Sequence, residues 1–257
     1  MTASIAISQR VPPRQVEIAA LEQGIVPRRY LRNIGTIGLA GQIRLLRSTV
    51  AVVGAGGLGG TAIELLARQG VGHIIIIDDD SFAEQDLNRQ IMASEGNLGT
   101  YKADAAAIRV AETNSSVVVT SFRDRLTGEN AHSLLTSASV TVDGLDNLPS
   151  RLAVEQACRQ LAIPYVYGAI AGFSGQLMTI FPEDPGLSAI YGSASATLPQ
   201  RGIETRTGNP PTTPALIAAL QVQEVVKIIT GSGQAVRNRI LIVDAREGTI
   251  DRIDLGE

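Results

Sequence analysis

Two cations and a glycine-rich turn supply the residue types that phosphate chemistry requires. Gly54, Gly56 and Gly59 form the pattern G-x-G-x-x-G directly after a β-branched apolar run. Such glycines permit a tight turn and let a phosphate approach the backbone, while the following helix offers free N–H groups to the anion. Arg89 and Lys102 lie downstream and suit phosphate oxygens, the first as a planar fork and the second as a compact charge. We therefore predict a nucleotide site.

The order of predicted elements places these residues at one edge of a parallel sheet, because strands that alternate with helices form doubly wound folds. We predict strands at 49–53, 73–78, 116–121, 139–142, 165–168 and 176–181, with helices at 57–69, 101–112, 129–136, 148–162 and 215–229. Helical segments at 17–21 and 28–46 precede them, and a hairpin of 239–244 and 249–253 ends the chain. The expected fold class is α/β: a Rossmann-like doubly wound, mostly parallel sheet with N-terminal helices and a C-terminal antiparallel hairpin.

The chain is expected to form one domain over residues 1–257. Residues 1–24 are predicted to be a loose N-terminal extension, and residues 182–214 a long crossover loop rich in Gly, Pro, Ser and Thr. A loop of that length inside a compact domain is usually functional or mobile. Together with residues 168–176, it is expected to form the groove in which the acceptor binds.

The amino-acid composition restricts the kinds of binding partner and cofactor that the chain can have. The 257-residue chain has a formal net charge of −3, 4% aromatic residues and no tryptophan, which argues against a nucleic-acid surface. One cysteine excludes an internal disulfide and a four-cysteine zinc site. Residues 1–14 lack the apolar core of a signal peptide, and no run reaches the length of a membrane span. We therefore expect a cytoplasmic protein with no nucleic-acid or membrane partner.

The glycine pattern alone leaves the nucleotide open. Asp78 lies about 20 residues beyond the glycines, where an acid would hold a ribose hydroxyl of NAD. The same carboxylate would serve the ribose of ATP equally well. The residues that follow Asp78 must therefore distinguish the two nucleotides.

Those residues resemble the ThiF/MoeB/HesA family of ubiquitin-activating-enzyme-like adenylating enzymes. The family pattern is D-x-D followed by N-L-x-R-Q, and this chain has Asp78, Asp80 and the segment D-L-N-R-Q at 86–90. Matching segments elsewhere are R-Y-L-R at 29–32, G-Q at 41–42, G-T-Y-K at 99–102, D-G-L-D-N at 143–147, Arg151, and G-Q at 175–176. The resemblance covers roughly residues 25–255 and is far more specific than the glycine turn alone.

The resemblance implies ATP-dependent adenylation of a carboxylate, with ATP and Mg²⁺ as cofactors. The residues it assigns to ATP, together with the glycine turn, are Gly54, Gly56, Gly57, Gly59, Asp78, Asp80, Gln85, Asp86, Asn88, Arg89, Lys102, Asp146 and Asn147. Catalysis is assigned to Arg89, Lys102 and Asp146, with Asp146 holding Mg²⁺. Arg32 would reach the phosphates from a neighbouring subunit, which implies a homodimer. The expected partner is a small ubiquitin-like sulfur carrier of the ThiS/MoaD kind that ends in Gly-Gly.

This chain departs from many relatives in its cysteines. The regions that carry two C-x-x-C zinc pairs in those relatives are G-L-S-A-I-Y-G at 186–192 and T-G-N-P-P at 207–211. The single cysteine, Cys158, lies at core spacing on a predicted helix and is expected to be a buried small hydrophobe. We therefore expect no zinc and no thioester step. Alternatives that stay open are adenylation of a small-molecule or RNA-borne carboxylate, an NAD-dependent oxidoreductase, and a non-catalytic binding protein.

Overall fold

The computed structural model describes residues 2–192 and 207–255, which fold around one eight-stranded sheet. The strands are β1 Thr49–Val53, β2 His73–Ile77, β3 Val118–Phe122, β4 Val140–Asp143, β5 Tyr165–Ala171, β6 Ser174–Ile180, β7 Arg239–Asp244 and β8 Thr249–Asp254. They lie in the order β3-β2-β1-β4-β5-β6-β7-β8. β1 to β5 pair in parallel, and β6, β7 and β8 extend the sheet with antiparallel pairs. The predicted fold class is confirmed.

Helices cover both faces of the sheet. They are α1 Thr2–Gln9, α2 Pro13–Glu22, α3 Leu31–Arg47, α4 Gly57–Gln69, α5 Lys102–Thr113, α6 Ala131–Leu135, α7 Leu148–Leu161, α8 Ser188–Tyr191 and α9 Thr212–Thr230. One apolar core lies between the sheet and α4, α5 and α9, and a second lies on the opposite face with α6 and α7. Two buried faces explain why β1 and β2 consist almost entirely of β-branched and alanine residues.

Helix α9 is the one helix within residues 2–192 and 207–255 that is long and apolar enough to cross a bilayer. Half of its apolar stretch is buried inside the protein, and the helix packs against α4, α3 and β5. A helix that is apolar on most of its surface is typical of a core position. Its composition is therefore accounted for by the fold.

Part of the segment expected to be a loose N-terminal extension, residues 13–22, forms a helix that packs on the domain. Helix α2 packs on α3 and begins with a proline at its first turn. Its buried residues are Leu21 and Glu17, and the Glu17 carboxylate accepts a hydrogen bond of 3.1 Å from the buried Tyr30 hydroxyl. The helical segment predicted at 17–21 is confirmed, and the structure extends it to Pro13–Glu22.

The glycine turn that connects β1 to α4 is very close to its neighbours. Gly54 has φ +93°, a conformation that favours glycine, and a β-carbon there would lie 2.5 Å from the Gly144 carbonyl oxygen. A β-carbon on Gly59 would overlap the Gly54 carbonyl oxygen. These contacts leave no room for side chains between β1, β4 and the start of α4.

We expect Gly59→Ala to lower the free energy of unfolding by about 3 kcal/mol or more, because the added methyl must displace main-chain atoms rather than a flexible side chain. Gly35→Ala is the matched control, since Gly35 lies in α3 with ordinary helical φ and open space around it. That change should stabilise the helix by about 0.5–1 kcal/mol. Urea unfolding measures both, and equal stability of the two variants would contradict the packing argument.

Candidate functional site

An open cleft of about 1130 Å³ follows the carboxyl edge of the sheet. Its centre lies between β1 and β4, where the strand order reverses, and ligands of open α/β sheets bind at such switch points. The sequence-predicted residues that line it are Gly54, Gly56, Gly57, Asp78, Asp80, Gln85, Asp86, Arg89, Lys102, Asp146 and Asn147. Gly59, Asn88 and Arg32 are not among the lining residues. The structure thus brings together most of the predicted site.

The Asp78 carboxylate stabilises the glycine turn by hydrogen bonds. Its two carboxylate oxygens accept hydrogen bonds from the backbone N–H of Ala55 at 2.6 Å and of Asp80 at 2.8 Å. Burial raises the pKa of Asp78, although both N–H groups and the Lys102 ammonium act in the opposite direction. The carboxylate retains lone pairs beyond these two bonds, so it can also accept from a ribose hydroxyl.

Lys102 and Arg89 lie at the same wall of the cleft and are held by carboxylates. The Lys102 ammonium is 3.1 Å from Asp80 and 3.9 Å from Asp86, and its side chain is 8% exposed. The Arg89 guanidinium donates to the Gln85 carbonyl at 2.9 Å and lies 3.6 Å from Asp86. Buried Asp86, which occupies the asparagine position of the family pattern, therefore places one negative charge between the two cations. This arrangement holds both cations in place before an anion binds.

The turn after β4 carries Asp146 and Asn147. Asn147 caps α7, because its Oδ1 accepts from the Ser150 N–H at 3.0 Å, which confirms the predicted helix start. Asp146 is exposed to the cleft, and its one hydrogen bond with a described residue is from the Asn147 amide at 3.2 Å. An accessible carboxylate beside a phosphate cradle is the ligand type that Mg²⁺ takes from proteins. The residues present therefore fit a magnesium–nucleotide complex.

A buried ion pair beneath this turn was not foreseen as a site feature. Arg151 donates to the Asp143 carboxylate at 3.0 Å, to the Leu145 carbonyl at 2.6 Å and to the Gly168 carbonyl at 3.2 Å. Burial would lower the pKa of Arg151, but the Asp143 carboxylate and nearby tyrosines outweigh it and raise that pKa. The pair fixes the Asp146 turn to β5. Its signal in the sequence was an acid at a strand end followed by an arginine in the next helix.

The departing arm of the crossover loop, residues 182–192, is held in place by polar contacts. Arg159 donates to the carbonyls of Pro182 at 2.7 Å and Asp184 at 2.5 Å. Glu155 accepts from the Leu187 N–H at 3.1 Å, and Arg237 pairs with the buried Asp184 carboxylate. These contacts hold the departing arm against α7 and the segment before β7.

The returning arm, residues 207–214, also lines the cleft, whereas residues 193–206 of the predicted loop lie outside the described residues. The Asn88 amide nitrogen donates to the Asn209 carbonyl at 3.2 Å, and the Asn88 oxygen accepts from Arg89 at 2.9 Å. Asn88, assigned to ATP by resemblance, therefore contacts this arm rather than the cleft lumen. Gly59 serves the packing of α4 against β1.

Arg32 lies on the first turn of α3, away from the cleft. Its neighbours Arg29 and Tyr30 join a network with Glu17 and Asn114, and the Asn114 amide donates to the Tyr30 hydroxyl at 3.0 Å. Arg32 itself is exposed and has no hydrogen bond or ion pair with a residue of 2–192 or 207–255. Arg32 is thus an exposed cation of α3 that has no ion-pair partner within the described part of the chain.

The fold and the cleft together define a nucleotide-binding α/β domain with preplaced phosphate ligands. The chain belongs to the ThiF family, whose model matches residues 30–257. It is 36% identical to the SAMP-activating enzyme E1 of Haloferax volcanii over 88% of this chain and 84% of that one. It is 31% identical to the sulfur carrier protein adenylyltransferase of Thermus thermophilus, with 88% and 86% covered. The predicted family resemblance is confirmed.

The fold also matches solved structures. The crystal structure of E. coli MccB with MccA-N7isoASN has a TM-score of 0.76 at 22% identity, covering 90% of this chain and 73% of that one. At this identity the likeness concerns the fold alone. It agrees with the mostly parallel sheet and its antiparallel extension described above.

Proposed function

We propose that the protein is an ATP-dependent adenylyltransferase that activates the C-terminal glycine carboxylate of a small ubiquitin-like sulfur carrier of the ThiS/MoaD kind. The observation that supports this is that Arg89, Lys102, Asp146 and the glycine turn all line one cleft. The two relatives named for SAMP activation and for sulfur-carrier adenylylation support the choice of acceptor. A cytoplasmic location and Mg²⁺ stay predictions of the sequence.

In the proposed reaction a carboxylate oxygen of the carrier attacks the α-phosphorus of ATP. A phosphorus–oxygen bond forms, the bond from the α-phosphorus to the bridging oxygen breaks, and pyrophosphate leaves. The glycine turn and the N-terminal N–H groups of α4 bind the phosphates, while Arg89 and Lys102 offset the charge that develops on their oxygens. Mg²⁺ held by Asp146 would supply further charge neutralisation on the phosphates.

The chain's own chemistry ends at the acyl-adenylate. Cys158, the single cysteine of the chain, is 2% exposed and lies in the core on the α7 face of the sheet. Burial raises its pKa to about 12, so the thiolate needed for a thioester is not formed at neutral pH. A separate nucleophile, most simply a sulfur donor, must then consume the adenylate.

A homodimer in which Arg32 reaches the partner's cleft completes the proposed site. We expect Arg32→Ala to lower pyrophosphate exchange about 100-fold, the typical cost of losing one preorganised donor. Mixing Arg32→Ala with Arg89→Ala protein should restore exchange, because mixed dimers contain one site with both arginines intact. Exchange that is unaffected by Arg32→Ala, or no restoration in mixtures that do form mixed dimers, would contradict the shared site.

The acceptor class is tested by isotope exchange between pyrophosphate and Mg-ATP. Small proteins from the same genome that end in Gly-Gly should support exchange, and removal of their last glycine should abolish it. A Gly-Gly carrier that fails where a small-molecule or RNA-borne carboxylate succeeds would overturn the choice of acceptor. Binding of NAD in place of ATP would overturn the reaction itself.

A further inference from the structure

Two tyrosine hydroxyl groups and one side-chain amide form a hydrogen-bonded chain at the cleft. The Tyr167 hydroxyl donates to Oε1 of Gln176 at 3.2 Å and lies 2.8 Å from the Tyr191 hydroxyl. Gln176 and Tyr191 line the cleft, whereas Tyr167 is fully buried on β5. The guanidinium carbon of Arg151 lies over the Tyr167 ring, 5.3 Å from the ring centre. The chain therefore connects the sheet floor to the end of α8 in the departing arm.

In the structure the Gln176 amide is oriented with Oε1 toward the Tyr167 hydroxyl. A tyrosine hydroxyl has one proton, so in this orientation Tyr167 donates to Gln176 and accepts from Tyr191. With Oε1 engaged, Gln176 keeps two N–H donors on Nε2, and no residue within 2–192 or 207–255 accepts from them. A cleft residue with its acceptor satisfied and its donors free is suited to bind an oxygen of a ligand.

The strand order of the sheet gives the distance between Gln176 and the turn that carries Asp146. Gln176 pairs with Ala169 on β5 and with Ile242 on β7, and all three line the cleft. β6 lies two strands from β4, the strand that leads to Asp146, which is about 10 Å at the usual strand spacing. An extended peptide advances about 3.3–3.6 Å per residue, so this distance corresponds to about three residues.

We propose that Gln176 binds the acyl substrate, with Nε2 donating to a main-chain carbonyl oxygen about three residues before the reacting carboxylate. This inference rests on the proposed adenylation and specifies its substrate as an extended peptide C-terminus. Gln176 is thus a substrate-binding residue. Tyr167 and Tyr191 are positioning residues, because they act through the amide.

The test compares two substitutions with opposite hydrogen-bonding character. Gln176→Ala removes the donor, whereas Gln176→Glu keeps the shape and the bond from Tyr167 but presents a negatively charged acceptor to the carbonyl oxygen. The probe is a synthetic octapeptide acid that ends in Gly-Gly, assayed by pyrophosphate exchange at saturating Mg-ATP. Gln160→Glu, at an exposed position of α7, is the control for the change in net charge.

We expect the KM for the peptide to rise about 10-fold in Gln176→Ala, as a net hydrogen bond is lost, and about 100-fold in Gln176→Glu, where two acceptors oppose each other. The KM for ATP should change less than twofold, and Gln160→Glu should behave as wild type. Thermal melting checks that each variant is folded. Tyr167→Phe should give an intermediate rise in peptide KM, because the amide loses the proton that orients it.

Two outcomes overturn the inference in distinguishable ways. A Gln176→Glu variant that is no worse than Gln176→Ala, or a parallel rise in the KM for ATP, would refute the role of Gln176 and leave the proposed adenylation standing. A wild-type protein that binds Mg-ATP but supports no exchange with the octapeptide or with any Gly-Gly carrier would refute the proposed function and the inference together.

Discussion

Arg89→Ala is expected to lower pyrophosphate exchange about 100- to 1,000-fold while the melting temperature stays unchanged. The reason is that, among the described residues, the polar contacts of the Arg89 side chain are with its own turn: the Gln85 carbonyl, the Asn88 side-chain oxygen and the Asp86 carboxylate. The loss in rate corresponds to one preorganised donor removed from the transition state. Steady-state exchange kinetics and thermal melting measure the two effects separately.

Two further variants make this result specific. Arg89→Lys keeps the charge but loses the planar fork, so it should recover only part of the activity. Arg252→Ala removes an exposed arginine of β8 that is not among the cleft-lining residues, and this variant should exchange like wild type. Wild-type exchange in Arg89→Ala would contradict the assignment of Arg89 to the phosphates.

Asp146→Asn is expected to raise the Mg²⁺ concentration needed for half-maximal exchange by more than about 100-fold. Substitution of residues that merely orient a metal ligand costs 10- to 100-fold in affinity, and loss of the ligand itself should cost at least as much. The turn should keep its shape, because Asn147 still caps α7 and Arg151 still holds the Leu145 carbonyl. A magnesium titration at fixed ATP measures the effect.

Asp79→Asn is the matched control for Asp146→Asn. Asp79 also lines the cleft and carries the same charge, but it pairs with the exposed Arg125 at 3.6 Å. Its magnesium dependence should stay within about threefold of wild type, because a screened surface pair contributes little. Equal effects of the two substitutions would mean that general cleft charge, rather than Asp146, governs magnesium binding.

The parts of the fold that the sequence predicts best are those with one dominant pattern. The β1 and α4 boundaries match the structure, because an apolar β-branched run, a glycine turn and a C-terminal glycine at Gly70 mark them directly. The bounds of helix α2 are less clearly marked, and the segment predicted at 17–21 covers only part of Pro13–Glu22. Its buried Glu17 accepts from the Tyr30 hydroxyl, a tertiary contact that local periodicity cannot show.

The site was predicted as a set of residues, but not as a set of contacts. Motif order identified Arg89, Lys102 and Asp146, and the structure places them in one cleft. The same motif gave no means of distinguishing Asn88, which contacts the returning arm, from residues that line the cleft. The spacing of residues along the chain predicts that a turn carries them. The direction in which each side chain points depends on tertiary contacts, which the spacing does not show.

The residues that extend the site beyond ATP were the hardest to predict. Tyr165 and Tyr167 are two positions apart and so share a face of β5, which could have drawn attention to the floor of the cleft. Tyr191 has no sequence signal, because it reaches Tyr167 only through the polar contacts that Arg159 and Asp184 make with the departing arm. Long-range pairing of this kind appears only in the folded chain.

The most direct test of the central proposal is which phosphates leave when the protein acts. We predict that wild-type protein with its Gly-Gly carrier and Mg-ATP labelled at the α-phosphate forms a carrier-bound AMP, releases unlabelled pyrophosphate, and forms no ADP. Hydroxylamine should then convert the carrier to its C-terminal hydroxamate, as expected for an acyl-adenylate. Release of ADP and inorganic phosphate, or a carrier that never acquires the α-label, would contradict adenylation by this cleft.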